Sequence, residues 1–176
     1  MQLIVTAVGD HRGKLFERMI AAIRECECHV KECRMVRMTG GKAGFVQVEG
    51  NWNHIARLEN LLTALAQTGQ VHFHRLAEDT KSVQDDILLY VADVVSRERV
   101  EILEEMIGFF SAQGVELQDL RSSCYRIPYG SANICTMHML LRIPEGVSVI
   151  SLRDEFLDLC EQMQVDAIFE PIKPII

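Results

Sequence analysis

The chain has 176 residues, 48% of them apolar and 24% charged, with 18 Lys+Arg against 25 Asp+Glu and a formal net charge of −7. That apolar fraction excludes a disordered chain, and the length fits one medium domain or two small ones. The acidic balance argues against a protein that grips nucleic acid by its phosphates, since such contacts need a basic face to displace condensed counterions. Residues 3–8 are apolar and β-rich on consecutive positions, as in a strand central in its sheet or covered on both faces. No basic segment precedes them, which favours a strand over a signal peptide. Six cysteines, at 26, 28, 33, 124, 135 and 160, are too sparse for a disulfide-stapled domain. No segment approaches the ~20 apolar residues of a membrane helix. A cytoplasmic protein with reduced thiols and no membrane contact is expected.

Gly9-Asp10-His11-Arg12-Gly13 ends the first strand. Leu15, Phe16, Met19, Ile20 and Ile23 then recur at helical spacing. Residues 30–38 alternate as a second strand, residues 39–44 read as a glycine-rich turn, and residues 45–49 complete a hairpin. Gly50-Asn51-Trp52-Asn53 supplies cap candidates for a helix carrying Ile55, Leu58, Leu61, Leu62 and Leu65, with Gly69 placed to end it. Residues 71–76 give a fourth strand. Residues 77–86 are polar and acidic, as a linker would be.

The pattern then repeats. Residues 87–91 predict a strand. Val100, Leu103, Ile107 and Phe110 mark a helix ending near Gly114, and residues 115–127 and 134–143 flank a second hairpin. Ser148 or Ser151 caps a helix with Leu152, Phe156, Leu159 and Met163, and residues 165–172 close the copy. Two βαββαβ copies about 85 residues apart predict an α+β protein of two ferredoxin-like domains, residues 1–76 and 87–176. Each is an antiparallel sheet with helices on one face. The handedness of the crossovers places another strand between the two that flank each helix.

Few residues carry recognisable chemistry. Cys26-x-Cys28-His29 lacks zinc-site spacing, and His72-x-His74 has no third ligand in view, so no metal or other cofactor is predicted. Gly40-Gly41-Lys42 joins strands and lacks the phosphate-loop pattern. Lys42-Ala43-Gly44-Phe45-Val46 only faintly echoes an RNA-binding motif and lacks most of its stacking aromatics. Nucleophile elbows and paired carboxylates at catalytic spacing are missing, so no enzyme is expected. An acylphosphatase would use an arginine where Arg12 stands, but the rest of that pattern is lacking. The most promising segment is residues 9–13, where a strand enters a helix N-terminus. Backbone amides there favour an anion such as a carboxylate, Gly13 permits close approach, and His11 or Arg12 adds a charge-assisted contact. A plain solvated turn is the alternative.

The layout resembles tandem ACT domains, the small-molecule regulatory modules of amino-acid metabolism, and among them the glycine cleavage system transcriptional repressors. The residues carrying the likeness are Val5 to Gly13, similar to a strand followed by an Asp-Arg-Pro-Gly turn, Cys28-His29-Val30-Lys31-Glu32-Cys33-Arg34, and Gly50-Asn51-Trp52-Asn53. Val91-Ala92-Asp93 and residues 117–122 are similar in the second half. The resemblance implies a cytoplasmic regulator with no catalytic activity and no direct contact with nucleic acid. It would act through a LysR-type activator protein, sense glycine or another small amino acid, and assemble as a homodimer or higher oligomer. It nominates Gly9, Asp10, His11, Arg12, Gly13, His29 and Val30 as ligand-binding residues, with the ligand held between domains. The family's arginine–proline pair is replaced by His11-Arg12 and its asparagine by His29, whose second-half counterpart is Glu116. Residues 93–97 read as the second-half loop and lack the glycine turn. A ligand-free oligomerisation or adaptor module is the rival reading.

Overall fold

The computed structural model describes residues 1–10, 13–67, 70–76, 88–97, 101–126 and 133–172. The chain divides into two compact units, Met1–Ser82 and Val83–Ile176. The first contains β1 (Gln2–Gly9), α1 (Leu15–Glu25), β2 (His29–Met38), β3 (Gly41–Glu49), α2 (Trp52–Ala66) and β4 (Gln70–Leu76). The second contains β5 (Leu88–Arg97), α3 (Glu101–Ala112), β6 (Glu116–Arg126), β7 (Asn133–Ile143), α4 (Val149–Met163) and β8 (Asp166–Pro171). Their sheets run β2-β3-β1-β4 and β6-β7-β5-β8, and the strand pairs are antiparallel. This is the ferredoxin-like plan twice over, with a strand between the two flanking each helix. The linker expected at residues 77–86 lies outside the described residues.

Alternation fixes which face of each sheet is covered. Leu3, Val5, Ala7, Val46, Val48 and Val71 point to one side and pack with Phe16, Met19, Ile23, Ile55, Leu58 and Leu62 of α1 and α2. β1 is central, as its run of apolar residues suggests, but only that one face is buried, and Val8 is half exposed on the other. In the second unit Ala92, Val94, Met137, Met139 and Leu141 pack under Ile102, Met106, Phe110, Leu152, Phe156 and Cys160. Full burial of each Val, Leu, Ile, Phe or Met side chain among these contributes about 1.5–3 kcal/mol. Asn51 caps α2 by accepting a hydrogen bond from the His54 amide at 2.8 Å, and Ser148 caps α4 by accepting from the Ser151 amide at 3.4 Å. Gly69 lies outside the described residues.

Four expectations need correction. β3 begins at Gly41, so the segment read as a turn is largely strand. A Cβ on Gly44 would stand closer than 3.0 Å to the Arg34 carbonyl oxygen, so glycine serves the close approach of β2 rather than a bend. In α3 the buried stripe is Ile102, Met106 and Phe110, while Leu103 and Ile107 are exposed. Residues 93–97 are not loop; they continue β5, with Val94 and Ser96 buried in alternation. Finally, the thiols are not all free: Cys124 and Cys135, directly opposite on β6 and β7, form a disulfide. Among the described residues no helix is long and apolar enough to cross a membrane.

Candidate functional site

β1 ends at Gly9, and α1 opens at Leu15 with Lys14 at its N-cap making no side-chain cap bond. Asp10 Oδ1 instead accepts a hydrogen bond from the Gly13 amide. A carboxylate of the chain itself therefore occupies a donor that was expected to serve an anionic ligand. Gly9 pairs with Lys42 at the start of β3, which brings the β2–β3 turn over the same end of the sheet. An open pocket of about 550 Å³ results, lined by Gly9, Asp10 and Gly13 on one side and by Met38, Gly41 and Lys42 on the other, with Gln70 from β4. Asp10 and Lys42 give it opposite charges, which suits a small ligand carrying both an ammonium and a carboxylate. His11 and Arg12 lie outside the described residues.

His29 and Val30 do not join this group. His29 is opposite Glu49, which is opposite Gln2, whereas Gly9 is opposite Lys42. Seven residues of strand, roughly 24 Å, separate the two ends. There His29 and Val30 line a second pocket of about 450 Å³ with Ile20, Arg24, Glu27 and His54. Glu27 adopts a left-handed φ of 55°, and His54 Nε2 stands 3.7 Å from its carboxylate. Burial pushes the neighbouring Cys26 and Cys28 thiols up, so they stay protonated near neutral pH. Among the described residues no group of three or more His, Cys, Asp or Glu could hold a metal ion. His72 and His74 stand exposed on β4, opposite Thr6 and Ile4.

The second unit can be compared residue by residue, because both copies share a landmark. β2 slips register between Val30 and Glu32, and β6 slips between Leu117 and Asp119. Just beyond each bulge an arginine pairs back along its own strand: Arg34 Nε to Glu32 at 2.9 Å, and Arg121 Nε to Asp119 at 3.0 Å. Counting from the bulge equates His29 with Glu116 and Glu49 with Arg142. The Lys31–Glu49 ion pair at 2.7 Å thus gives way to an Arg142–Glu116 pair at 3.6 Å. The same count equates Gly9 with Ser96, Asp10 with Arg97 and Lys42 with Cys135. A smaller pocket of about 340 Å³ lies here, lined by Ser96, Arg97, Gln164 and Val165. The Ser96 hydroxyl is buried without a hydrogen-bond partner.

Sequence reasoning passed over Lys42, Met38 and Gln70. A two-residue hairpin turn at Thr39-Gly40 sets Lys42 opposite Arg37, but its place opposite Gly9 comes from the β1–β3 register, which local sequence does not give.

Residues 1–75 match the family model of the ACT domain. No curated protein matches the sequence significantly. Among solved structures, an unknown protein from Galdieria sulphuraria superposes with a TM-score of 0.75 at 17% identity, covering 98% of each chain. The crystal structure of a protein provisionally assigned as a glycine cleavage system transcriptional repressor superposes with a TM-score of 0.68 at 20% identity, covering 98% of this chain and 97% of the other. At these identities the likeness establishes the tandem fold.

Proposed function

We propose that this chain is a non-enzymatic regulatory protein that senses a small amino acid, glycine foremost, and represses the glycine cleavage system through a LysR-type activator. The observation that carries the sensing role is the pocket placing Asp10 and Lys42 together at the end of β1. A zwitterion meets a counter-charge at each end there. The structural likeness to the provisionally assigned repressor supports the regulatory role. The net charge of −7 favours action through another protein over direct contact with DNA.

His29 and Val30 enter this reading through a second copy of the chain. β2 is an edge strand with Val30, Met35, Val36 and Met38 all exposed, and such an edge invites pairing with another strand. Pairing would let the second copy's β2 complete a ligand site that one unit holds only in part. A ligand then shifts the equilibrium only if it binds one arrangement better than another.

Isothermal calorimetry with a panel of amino acids tests the sensor. Saturable binding of glycine or a close analogue, weakened about tenfold or more by Lys42→Ala, is expected. No binding by any member of the panel overturns it and favours the adaptor reading. Gel shifts should show no DNA binding by the protein alone and an effect only with the activator present. A specific direct shift refutes the partner-mediated mechanism.

A further inference from the structure

The two units share the bulge and the arginine–carboxylate pair just beyond it but differ in chemistry at one end. Where the first sets Lys42 against Gly9 at its pocket, the second sets Cys135 against Ser96. Cys135 is in turn opposite Cys124, which occupies the position of Arg37, and the two sulfurs are bonded. Cys124, Cys135 and Ser96 therefore form one row across β6, β7 and β5. Cys135 and Ser96 are buried, whereas Cys124 is exposed on the edge strand.

We propose that Cys124–Cys135 is a reversible thiol–disulfide site that controls the outer end of β6 in the second unit. Three observations carry it. First, the bond is open to attack at Cys124. A thiolate of a low-molecular-weight thiol bonds to Cys124 Sγ, and the S–S bond breaks with its electron pair leaving on Cys135 Sγ. A second thiol then resolves the mixed disulfide. Two thiols are thereby oxidised to one disulfide, and both cysteines end as protonated thiols. Second, the Ser96 hydroxyl is buried and unpartnered beside Cys135. Side chains directly opposite across two strands have Cβ atoms about 4.5–5.5 Å apart, so this hydroxyl can hydrogen-bond to the Cys135 sulfur once the S–S bond opens. An orphan donor in the oxidised state becomes a partnered one in the reduced state. Third, residues 121–126 are exposed throughout, so core packing does not hold this end of β6 against β7. The disulfide is the covalent tie there, and its loss leaves the ladder to fray. The first unit has Arg37 and Lys42 at the equivalent positions and no such tie.

The test equilibrates the full chain in mixtures of reduced and oxidised glutathione, quenches by alkylation, and reads the linkage by peptide mass spectrometry. Hydrogen exchange of residues 121–126 is followed in parallel. The 124–135 link should form and open reversibly in the folded protein, while Cys26, Cys28, Cys33 and Cys160 stay alkylatable after unfolding. Exchange at 121–126 should rise about tenfold or more on reduction. Cys135→Ser should hold it at the reduced level whatever the glutathione ratio. Ser96→Ala should shift the midpoint about fivefold toward the disulfide, by removing the hydrogen bond that favours the open form. Thiols at 124 and 135 that alkylate fully at every ratio, a link that resists glutathione until the chain unfolds, or exchange that is equal in both states would each overturn the proposal. An unchanged midpoint in Ser96→Ala overturns the part given to the hydroxyl.

Discussion

Replacing Gly41 by alanine perturbs the site through backbone alone. A Cβ built there would lie closer than 3.0 Å to the Gly9 carbonyl oxygen, with the Asp10 Cα at 3.7 Å. That is about 1 Å inside ordinary contact, and neither neighbour is the free end of a side chain that could swing away. Either the hairpin or the turn after β1 must shift, and both line the pocket. Overpacking of this kind costs about 1–3 kcal/mol. Gly40, one residue earlier, meets nothing within 4 Å, so Gly40→Ala should stay within about 0.5 kcal/mol of the parent. Because a chain of two units need not unfold in one step, hydrogen exchange by mass spectrometry is the appropriate assay. Peptides from β1 and β3 should exchange about 5- to 150-fold faster in Gly41→Ala, as 1–3 kcal/mol requires, and amino-acid affinity should fall with it. Unchanged exchange in Gly41→Ala, or an equal rise in Gly40→Ala, would refute the steric reasoning.

Other consequences can be checked independently. Phe156 is fully buried, with ring centroids 5.2 Å from Phe110 and 5.8 Å from Phe169, so Phe156→Ala should destabilise the second unit by about 3–5 kcal/mol in urea unfolding. A loss under 1 kcal/mol would mean the cluster closes over the gap. Arg75 makes two 2.6 Å hydrogen bonds to Glu59, tying β4 to α2 and holding the Glu59 carboxyl below its usual range. Its folded value lies under the unfolded one, so the tie is fully present above about pH 4.3 and is lost as pH falls through the folded value. Glu59→Gln should therefore lower the urea midpoint at pH 6 and converge with the parent at lower pH; a constant gap would contradict this. Burial pushes the Cys160 thiol up to about 11, leaving about a thousandth as thiolate at pH 8. Native alkylation at pH 8 should label exposed Cys33 and spare Cys160; comparable labelling would show that the second core opens readily.

Much of the fold was legible because period and chemistry agreed locally. Asn51 before an apolar stripe announced α2, and alternation announced β2. Where two readings fitted, the sequence could not choose. α3 carries apolar residues at 102, 103, 106, 107, 109 and 110, two adjacent stripes, and only the sheet beneath selects Ile102, Met106 and Phe110. Gly41 and Gly44 resemble a turn until the carbonyls of Gly9 and Arg34 are seen pressing on them. The site was less legible still. Gly9 and residues 29–30 were nominated together, yet the strand registers set them at opposite ends of the sheet. The Cys124–Cys135 pairing depends on the β6–β7 register, which runs unbroken from Asp119 opposite Leu140 to Arg126 opposite Asn133 and which no cysteine spacing rule reveals.

That register also decides how many amino acids each chain should bind. The second unit keeps the bulge and the arginine–carboxylate pair, which serve the sheet, but replaces the groups that serve a zwitterion. Arg97 stands where Asp10 does, so the counter-charge for an ammonium is reversed, and Cys135 replaces the lysine that would meet the carboxylate. Ser96 adds a side chain where Gly9 has none, and Glu116 removes the donor that His29 offers at the far end. Reversing one charge partner of a small ligand and deleting the other leaves no favourable pairing to offset desolvation. Calorimetry should therefore return one amino-acid site per chain, abolished by Lys42→Ala together with Asp10→Asn and indifferent to Arg97→Ala. Two equivalent sites per chain, or binding that depends on Arg97, would show that the second unit kept the same ligand chemistry by other means.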